Sequence, residues 1–206
     1  TVIMGGVHAT FRTEECMQVA DIVVRGEGER TLHELLIGLT ENPEDLGYIN
    51  GIAFKKNGEI IITSPRELMT SEELSQMPYP FYNNDVRKKV GIGVIETSRG
   101  CPNKCDFCTE HKINGGKYRT KSIDYVIEVL RQTQDIGRFR FFLDNNLIGT
   151  PNRTIRLLET IIEKGLNTKG SVAQVPVEVA RNLRLIEVMK KAGITSLCVG
   201  IESINN

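Results

Sequence analysis

GVIETSRGCPNKCDFC, residues 93–108, joins an apolar, β-rich run to a loop that carries three cysteines. Cys101, Cys105 and Cys108 are separated by three residues and then by two. Thiolates are soft ligands that favour zinc, cuprous copper or iron–sulfur clusters over magnesium and calcium. This stretch therefore predicts a strand that leads directly into a metal-binding loop.

Further strand-like runs follow this segment, and helical patterns fill the gaps between them. The runs are RFRFFLD (138–144), SVAQVPV (171–177) and TSLCVGI (195–201). Strands that alternate with helices predict a parallel sheet, and four strands with three crossover helices form about half of a TIM-like β/α barrel. Capping and stop residues mark the helix boundaries, namely Ser122, Gly137, Thr150, Pro151, Gly165 and Gly193.

Barrel enzymes carry their reacting groups in the loops at the carboxyl ends of the strands. In this chain those loops contain the clustered cysteines, residues 144–146, the QVPVE segment at 174–178, and Glu202 with Ser203. The three thiols therefore lie where a β/α barrel performs its chemistry.

Two kinds of metal group fit three clustered thiols. His111 lies three residues beyond Cys108 and could complete a Cys3His zinc site in a non-catalytic binding module. A cluster of four irons on three cysteines instead leaves one iron open, and catalysis needs an open coordination position. Structural zinc sites usually unite two separate ligand pairs, and no second pair is present, so spacing and location favour the cluster.

The phrase ETSRGCPNKCDFC resembles the radical S-adenosylmethionine superfamily, whose CxxxCxxC motif matches Cys101, Cys105 and Cys108 in full. Phe107 stands at the family's aromatic position before the third cysteine. The resemblance implies a [4Fe-4S] cluster on these cysteines and S-adenosylmethionine on the open iron. It also implies cleavage of S-adenosylmethionine to a 5′-deoxyadenosyl radical that takes hydrogen from a small-molecule substrate, with flavodoxin or ferredoxin as the electron donor.

Three other polar positions follow from the resemblance less directly. Family members often have a Gly-Gly-Glu stretch after the second strand, whereas this chain has LDNN at 143–146. LDNN is similar to the Asp-Asp-Asn form of cobalamin-linked members, which implies that Asp144 and Asn145 face the cofactor; helix capping is the alternative. Glu202 in VGIES matches a position that contacts the ribose or amino group of the cofactor, and an edge salt bridge is its alternative.

The first 40 residues have a resemblance of their own. GGVHAT (5–10) and ADIVVRGEGERTLHELL (20–36) are similar to the end of the Rossmann-like cobalamin-binding domain of one subfamily. That subfamily includes methyltransferases and proteins like magnesium-protoporphyrin IX monomethyl ester oxidative cyclase. The resemblance implies that Gly5 and Gly6 let the backbone approach cobalamin in the full-length protein, although a plain tight turn explains them equally.

The domain organisation predicted from these patterns has three parts. Residues 1–40 form the end of the Rossmann-like domain, 41–90 a connector with a β-hairpin turning at Asn57 and Gly58, and 91–206 the barrel half. Within the first part we expect a helix over 13–20. We also expect one core-facing stripe on the next helix, formed by Leu32, Leu35, Leu36 and Leu39.

The composition of the chain limits the classes of partner that it is expected to bind. The 206 residues include 26 basic and 26 acidic side chains, so no net field attracts nucleic acid. No apolar run approaches the roughly 20 residues that span a bilayer, and no signal peptide opens the chain, which predicts a cytoplasmic protein without a membrane partner. The lone Cys16 and Cys198 are expected to be buried.

Both ends of the sequence look cut, so we expect a fragment of a longer protein. Half of a barrel leaves an open parallel edge, and an open edge must be covered or paired. The fragment is therefore expected to self-associate.

Overall fold

The computed structural model describes residues 1–137, 139–168 and 170–202, which fall into two compact units, Thr1–Met69 and Thr70–Asn206. This division differs from the predicted boundaries near residues 40 and 90. The difference arises because the hairpin pairs with the sheet of the first unit, so much of the predicted connector belongs to that unit.

The first unit contains a four-stranded sheet made of β1 (Ile3–Met4), β2 (Ile22–Val24), β3 (Ile52–Lys56) and β4 (Glu59–Ile62), adjacent in that order. The first two strands run parallel, and the hairpin joins β2 in antiparallel register, with Val23 opposite Ala53. Asn57 and Gly58 both have positive φ, as a tight two-residue hairpin turn requires, and the predicted hairpin is confirmed.

Three helices accompany this sheet, α1 (Val7–Phe11), α2 (Thr13–Cys16) and α3 (Gly28–Glu41). The helix predicted over residues 13–20 is shorter than expected, since α2 ends at Cys16. Cys16 itself is buried, as predicted.

The apolar stripe predicted on α3 is wrong in part, because only Leu35 of its four leucines is fully buried. Leu32 and Leu36 are exposed. The buried face follows Thr31, Leu35 and Gly38, where a Cβ on Gly38 would lie 3.1 Å from Ile49. This close approach centres the contact on Gly38; Leu39 packs against the core while partly exposed, and Leu32 and Leu36 lie outside it.

The second unit is built on a parallel sheet of four strands, β5 (Ile92–Ile95), β8 (Phe139–Phe142), β9 (Ser171–Pro176) and β10 (Ile194–Gly200). They lie side by side in the order in which they follow one another along the chain. Ile95 lies opposite Phe142, and Phe142 opposite Ala173. The predicted α/β fold with about four parallel barrel strands is confirmed.

Crossover helices α7 (Ile123–Gln132), α8 (Pro151–Glu163) and α9 (Leu183–Lys191) connect these strands. The Ser122 side chain accepts a hydrogen bond from the Tyr125 N–H at 3.1 Å, which confirms the predicted cap of α7. Thr150 precedes α8 without a side-chain capping bond. The core between sheet and helices includes Ile95, Leu130, Phe142, Leu147, Leu157, Leu158, Ala173 and Leu185.

Short elements complete the second unit. A two-stranded antiparallel ladder, β6 (Ser98–Arg99) with β7 (Arg119–Thr120), brings the two ends of the cysteine loop together. The other elements are α4 (Ser71–Ser75), α5 (Asn84–Lys89), α6 (Glu110–Ile113) and a 3₁₀ helix (Val177–Arg181). Among the described residues, no helix has the length and apolar character needed to cross a membrane.

Candidate functional site

All three clustered cysteines line one open cavity of about 420 Å³, here called the thiol cavity. It lies at the carboxyl ends of β8, β9 and β10, as barrel topology predicts for a reactive site. Its lining comes from the cysteine loop, the segment after β8, and the ends of β9 and β10, with Asn103, Phe107, Asn145, Asn146, Gln174, Glu178, Cys198 and Glu202 among its side chains.

The cysteine loop starts at a position that only glycine fits. Gly100 has φ 88°, and a Cβ there would lie 2.0 Å from the backbone oxygen of Lys117. This contact crosses from one end of the loop to the other, next to the β6–β7 ladder. The chain therefore closes the loop tightly before it presents Cys101 and Cys108, which are half-buried, and Cys105, which is exposed.

Charged side chains brace the base of this loop. The Glu96 carboxylate pairs with Arg99 at 2.9 Å and with Lys121 at 2.6 Å, one partner before the loop and one after it. Burial pushes the pKa of Glu96 up, but hydrogen bonds from Arg99 and Lys121 outweigh it and hold the pKa below its ordinary value. Arg153, on α8, donates to the backbone oxygen of Thr97 at 3.0 Å.

Asp144 does not face the thiol cavity. It is fully buried, and its carboxylate accepts hydrogen bonds from the Thr97 N–H at 3.1 Å, the Thr97 hydroxyl at 2.7 Å and the Ser98 hydroxyl. Burial raises the pKa of Asp144 against the effect of these bonds. In place of the expected helix cap, Asp144 fixes the strand that leads into the cysteine loop, and it is not among the residues that line the cavity where a cofactor would be held.

Asn146 is a site residue that the sequence did not single out. Its Nδ2 donates to the Cys101 Sγ at 3.6 Å, and its Oδ1 accepts from the Ile148 N–H at 3.1 Å. The polar residues after β8 were the available signal in the sequence, but cofactor contact was predicted only for the first two of them, Asp144 and Asn145. Asn145 does line the cavity, as expected of a cofactor-facing residue.

The other predicted positions have different outcomes. Phe107 is 68% exposed and lines the cavity, and Glu202, with φ 61°, does so too. Ser203 lies outside the described residues. Cys198, expected to be buried, is exposed and lines the thiol cavity, because β10 is an edge strand of the described sheet and only Ile194 in it is buried.

His111, the fourth ligand of the zinc alternative, lies on α6 and is not among the residues that line the thiol cavity. Its Nδ1 is buried and has no hydrogen-bond partner in the part of the chain that the structure describes. Across the described ranges, no three His, Cys, Asp or Glu side chains are gathered closely enough to hold one metal ion. The structure therefore does not bring a zinc ligand set together.

An iron–sulfur cluster makes a different demand on its ligands. Its cysteine thiolates bind separate irons of one group, so they have to surround a space rather than meet at one point. Three soft thiols on the wall of one cavity, one of them with an N–H donor, meet this demand. The residues present fit the cluster.

Gly5 and Gly6 lie in the first unit, at the turn after β1. Gly6 has φ 99°, and a Cβ there would have no atom within 4 Å, so its conformation favours glycine while the space beside it is open. At Gly5 a Cβ would be 3.6 Å from the Val24 oxygen, an ordinary contact that does not require glycine.

Comparison with known proteins gives relatives over nearly the whole chain. The uncharacterized methyltransferase PH0819 of Pyrococcus horikoshii is 34% identical over 98% of this chain and 45% of its own length. The anaerobic magnesium-protoporphyrin IX monomethyl ester cyclase of Synechocystis sp. is 26% identical over 99% of this chain and 42% of its own length. The chain thus spans less than half the length of these relatives.

Two solved structures share the fold. The radical S-adenosylmethionine methyltransferase TsrM from Kitasatospora setae superposes with a TM-score of 0.76 at 18% identity, over 98% of this chain and 42% of that one. The cobalamin-dependent S-adenosylmethionine radical enzyme OxsB superposes with a TM-score of 0.76 at 23% identity, over 99% and 31%. The family model for the Radical SAM superfamily matches residues 95–206. That match covers more than half of the chain and all three clustered cysteines, so the chain belongs to the radical S-adenosylmethionine superfamily, as its CxxxCxxC motif predicted.

Proposed function

We propose that this chain is the cluster-bearing part of a radical S-adenosylmethionine enzyme that acts on a small molecule. Cys101, Cys105 and Cys108 hold the [4Fe-4S] cluster, and the thiol cavity receives S-adenosylmethionine. The observation that carries the proposal is that these three thiols line one cavity at the carboxyl ends of parallel strands. When bound, such a cluster supplies one electron at low potential for the reductive cleavage of S-adenosylmethionine, which starts hydrogen abstraction.

The polar side chains on the cavity wall suit the two ends of S-adenosylmethionine. Glu202 offers a carboxylate that accepts hydrogen bonds from an ammonium or from ribose hydroxyls, and Asn145 offers both a donor and an acceptor. Phe107 presents an exposed aromatic ring in the cysteine loop, where it can limit the access of water to the cluster. Asp144 acts indirectly, through the hydrogen bonds that fix Thr97 and Ser98.

Cobalamin is proposed as a further cofactor of the full-length protein. The solved structures of TsrM and OxsB contain bound cobalamin, and the fold similarity to both covers nearly all of this chain. The first unit would contribute through the turn at Gly6, whose open, side-chain-free surface permits the close approach of a large cofactor. Gly5 would lie beside that approach.

Methyl transfer is the reaction class we favour, because the relative at 34% identity carries a methyltransferase name. Oxidative cyclisation of a magnesium-porphyrin ester is the second candidate, on the similarity to the cyclase at 26% identity. We place the enzyme in the cytoplasm, where thiols stay reduced and flavodoxin or ferredoxin can supply electrons. Self-association through the open edges of the parallel sheet remains part of the proposal.

Electron paramagnetic resonance on anaerobically reconstituted, reduced protein tests the proposal. We expect a reduced four-iron signal that changes when S-adenosylmethionine is added and is absent when Cys101, Cys105 and Cys108 are all replaced by alanine. His111→Ala should leave the signal unchanged. A sample without the signal that instead binds one zinc per chain, lost in His111→Ala, would overturn the enzyme function and support a structural zinc module.

A further inference from the structure

We propose that Asn146 tunes the reduction potential of the cluster by donating a hydrogen bond to the thiolate of Cys101. This inference rests on the proposed function, since it concerns the cluster that the three cysteines would hold. Its basis is the 3.6 Å contact from the Asn146 Nδ2 to the Cys101 Sγ. Asn146 acts through Cys101 and is therefore a positioning residue.

The direction of the Asn146 amide is fixed by its other bond. The Ile148 N–H donates to the Asn146 Oδ1 at 3.1 Å, and an N–H can be satisfied only by the oxygen end of the amide. The nitrogen end must then point at the Cys101 sulfur. A reversed amide would place two donors together at Ile148 and leave the thiolate facing an oxygen, so only this orientation satisfies both neighbours.

The backbone around Asn146 is held on several sides. Its carbonyl oxygen accepts from the Tyr118 hydroxyl at 3.2 Å and from the Gly149 N–H at 3.2 Å. The Leu147 N–H donates to the Gln174 oxygen of β9 at 3.0 Å. Because Asn146 is also only 3% exposed, its amide has little freedom to turn away from the thiol.

A donor at this position has a predictable electrical effect. Reduction adds negative charge to the cluster and its thiolates, and an N–H that points at a sulfur stabilises the more negative state. The effect is larger in a buried setting, where the local dielectric constant is low. Asn146 therefore raises the reduction potential and makes the reduced cluster easier to form.

Potentiometric titration of the reconstituted full chain, followed by electron paramagnetic resonance without S-adenosylmethionine, tests the inference. In Asn146→Ala we expect the reduction equilibrium constant to fall about tenfold, a shift of about 59 mV to lower potential for one electron. Asn146→Asp keeps the acceptor for Ile148 but replaces the donor with an oxygen, so its potential should fall at least as far. Asn152→Ala removes an exposed amide on α8 that does not line the thiol cavity and should leave the potential unchanged.

The outcomes separate the two proposals. A wild-type chain without a cluster would refute the proposed function. A wild-type cluster whose potential is the same in Asn146→Ala, Asn146→Asp and Asn152→Ala would overturn the tuning role alone, as would a rise in potential in the Asn146 variants. Loss of the cluster in both Asn146 variants would give Asn146 a structural role and also overturn the inference.

Discussion

Asp144 places an ionisable group in the interior of the second unit, with its carboxylate bonded to Thr97 and Ser98. A buried carboxylate is tolerated only when hydrogen bonds compensate for the water it has lost. These hydrogen bonds therefore hold the end of the strand in place, and the strand end in turn positions Cys101. At the residue scale, the site depends on a side chain that touches none of the cavity.

Replacing Asp144 with alanine should destabilise the second unit. The Thr97 N–H would lose its acceptor while remaining buried, which costs about 1–3 kcal/mol. We expect a lower urea midpoint together with a reduced yield of reconstituted cluster. Asn145→Ala is the control, since it removes a neighbouring side chain that is exposed; equal losses in the two variants would refute the role of Asp144.

The pH dependence of the Asp144→Asn variant gives a second test at this scale. The pKa of Asp144 is raised in the folded protein, so the folded state binds its proton more tightly than the unfolded state does. The stability that the bound proton gives the folded protein is then lost as the pH rises from the pKa of Asp144 in the unfolded state through its pKa in the folded state. As the pH rises above about 4, the ordinary pKa of an aspartate, Asp144→Asn should gain stability relative to wild type in denaturant titrations. A constant difference would show that the carboxyl does not titrate there.

At the element scale, the β6–β7 ladder decides whether the cysteine loop is closed. Strand patterns did not predict this ladder, because each strand has only two residues and the pairing joins segments about 20 residues apart. The longer elements were predicted well, because helical periodicity, Ser122 and the Asn57-Gly58 turn act locally. Other features depend on which surfaces pack together, and sequence patterns do not carry that information. These features are the attachment of the hairpin to β2 and the exposure of Leu32, Leu36 and Cys198.

Gly100→Ala tests the ladder. The new Cβ would lie 2.0 Å from the Lys117 oxygen, so the two ends of the cysteine loop would have to separate. Gly116→Ala is a matched control, since Gly116 also has positive φ but open space around it. Gly116→Ala should cost about 1 kcal/mol from backbone strain alone, with normal cluster content. Gly100→Ala should cost more and lose most of the cluster; similar behaviour of the two variants would mean that loop closure is unimportant.

At the scale of the whole molecule, every described residue that lines the thiol cavity belongs to Thr70–Asn206. The sheet, the crossover helices and the braces at Glu96 and Asp144 belong to the same unit. The first unit has its own sheet and its own buried residues around Leu35. Cluster binding and cobalamin binding are therefore expected to be separable in the chain.

A chain that starts at Thr70 should accordingly form the [4Fe-4S] cluster in the same yield per chain as residues 1–206. The reason is that its ligands, the Asn146 donor and the loop closure at Gly100 are all retained. Iron and sulfide content, with the electron paramagnetic resonance signal as the spectroscopic check, would measure this. The residues removed include Gly6, so any cobalamin affinity of the longer chain should be absent. If the shorter chain keeps its fold by circular dichroism but fails to form the cluster, the first unit contributes to the site directly, and the two functions are not separable.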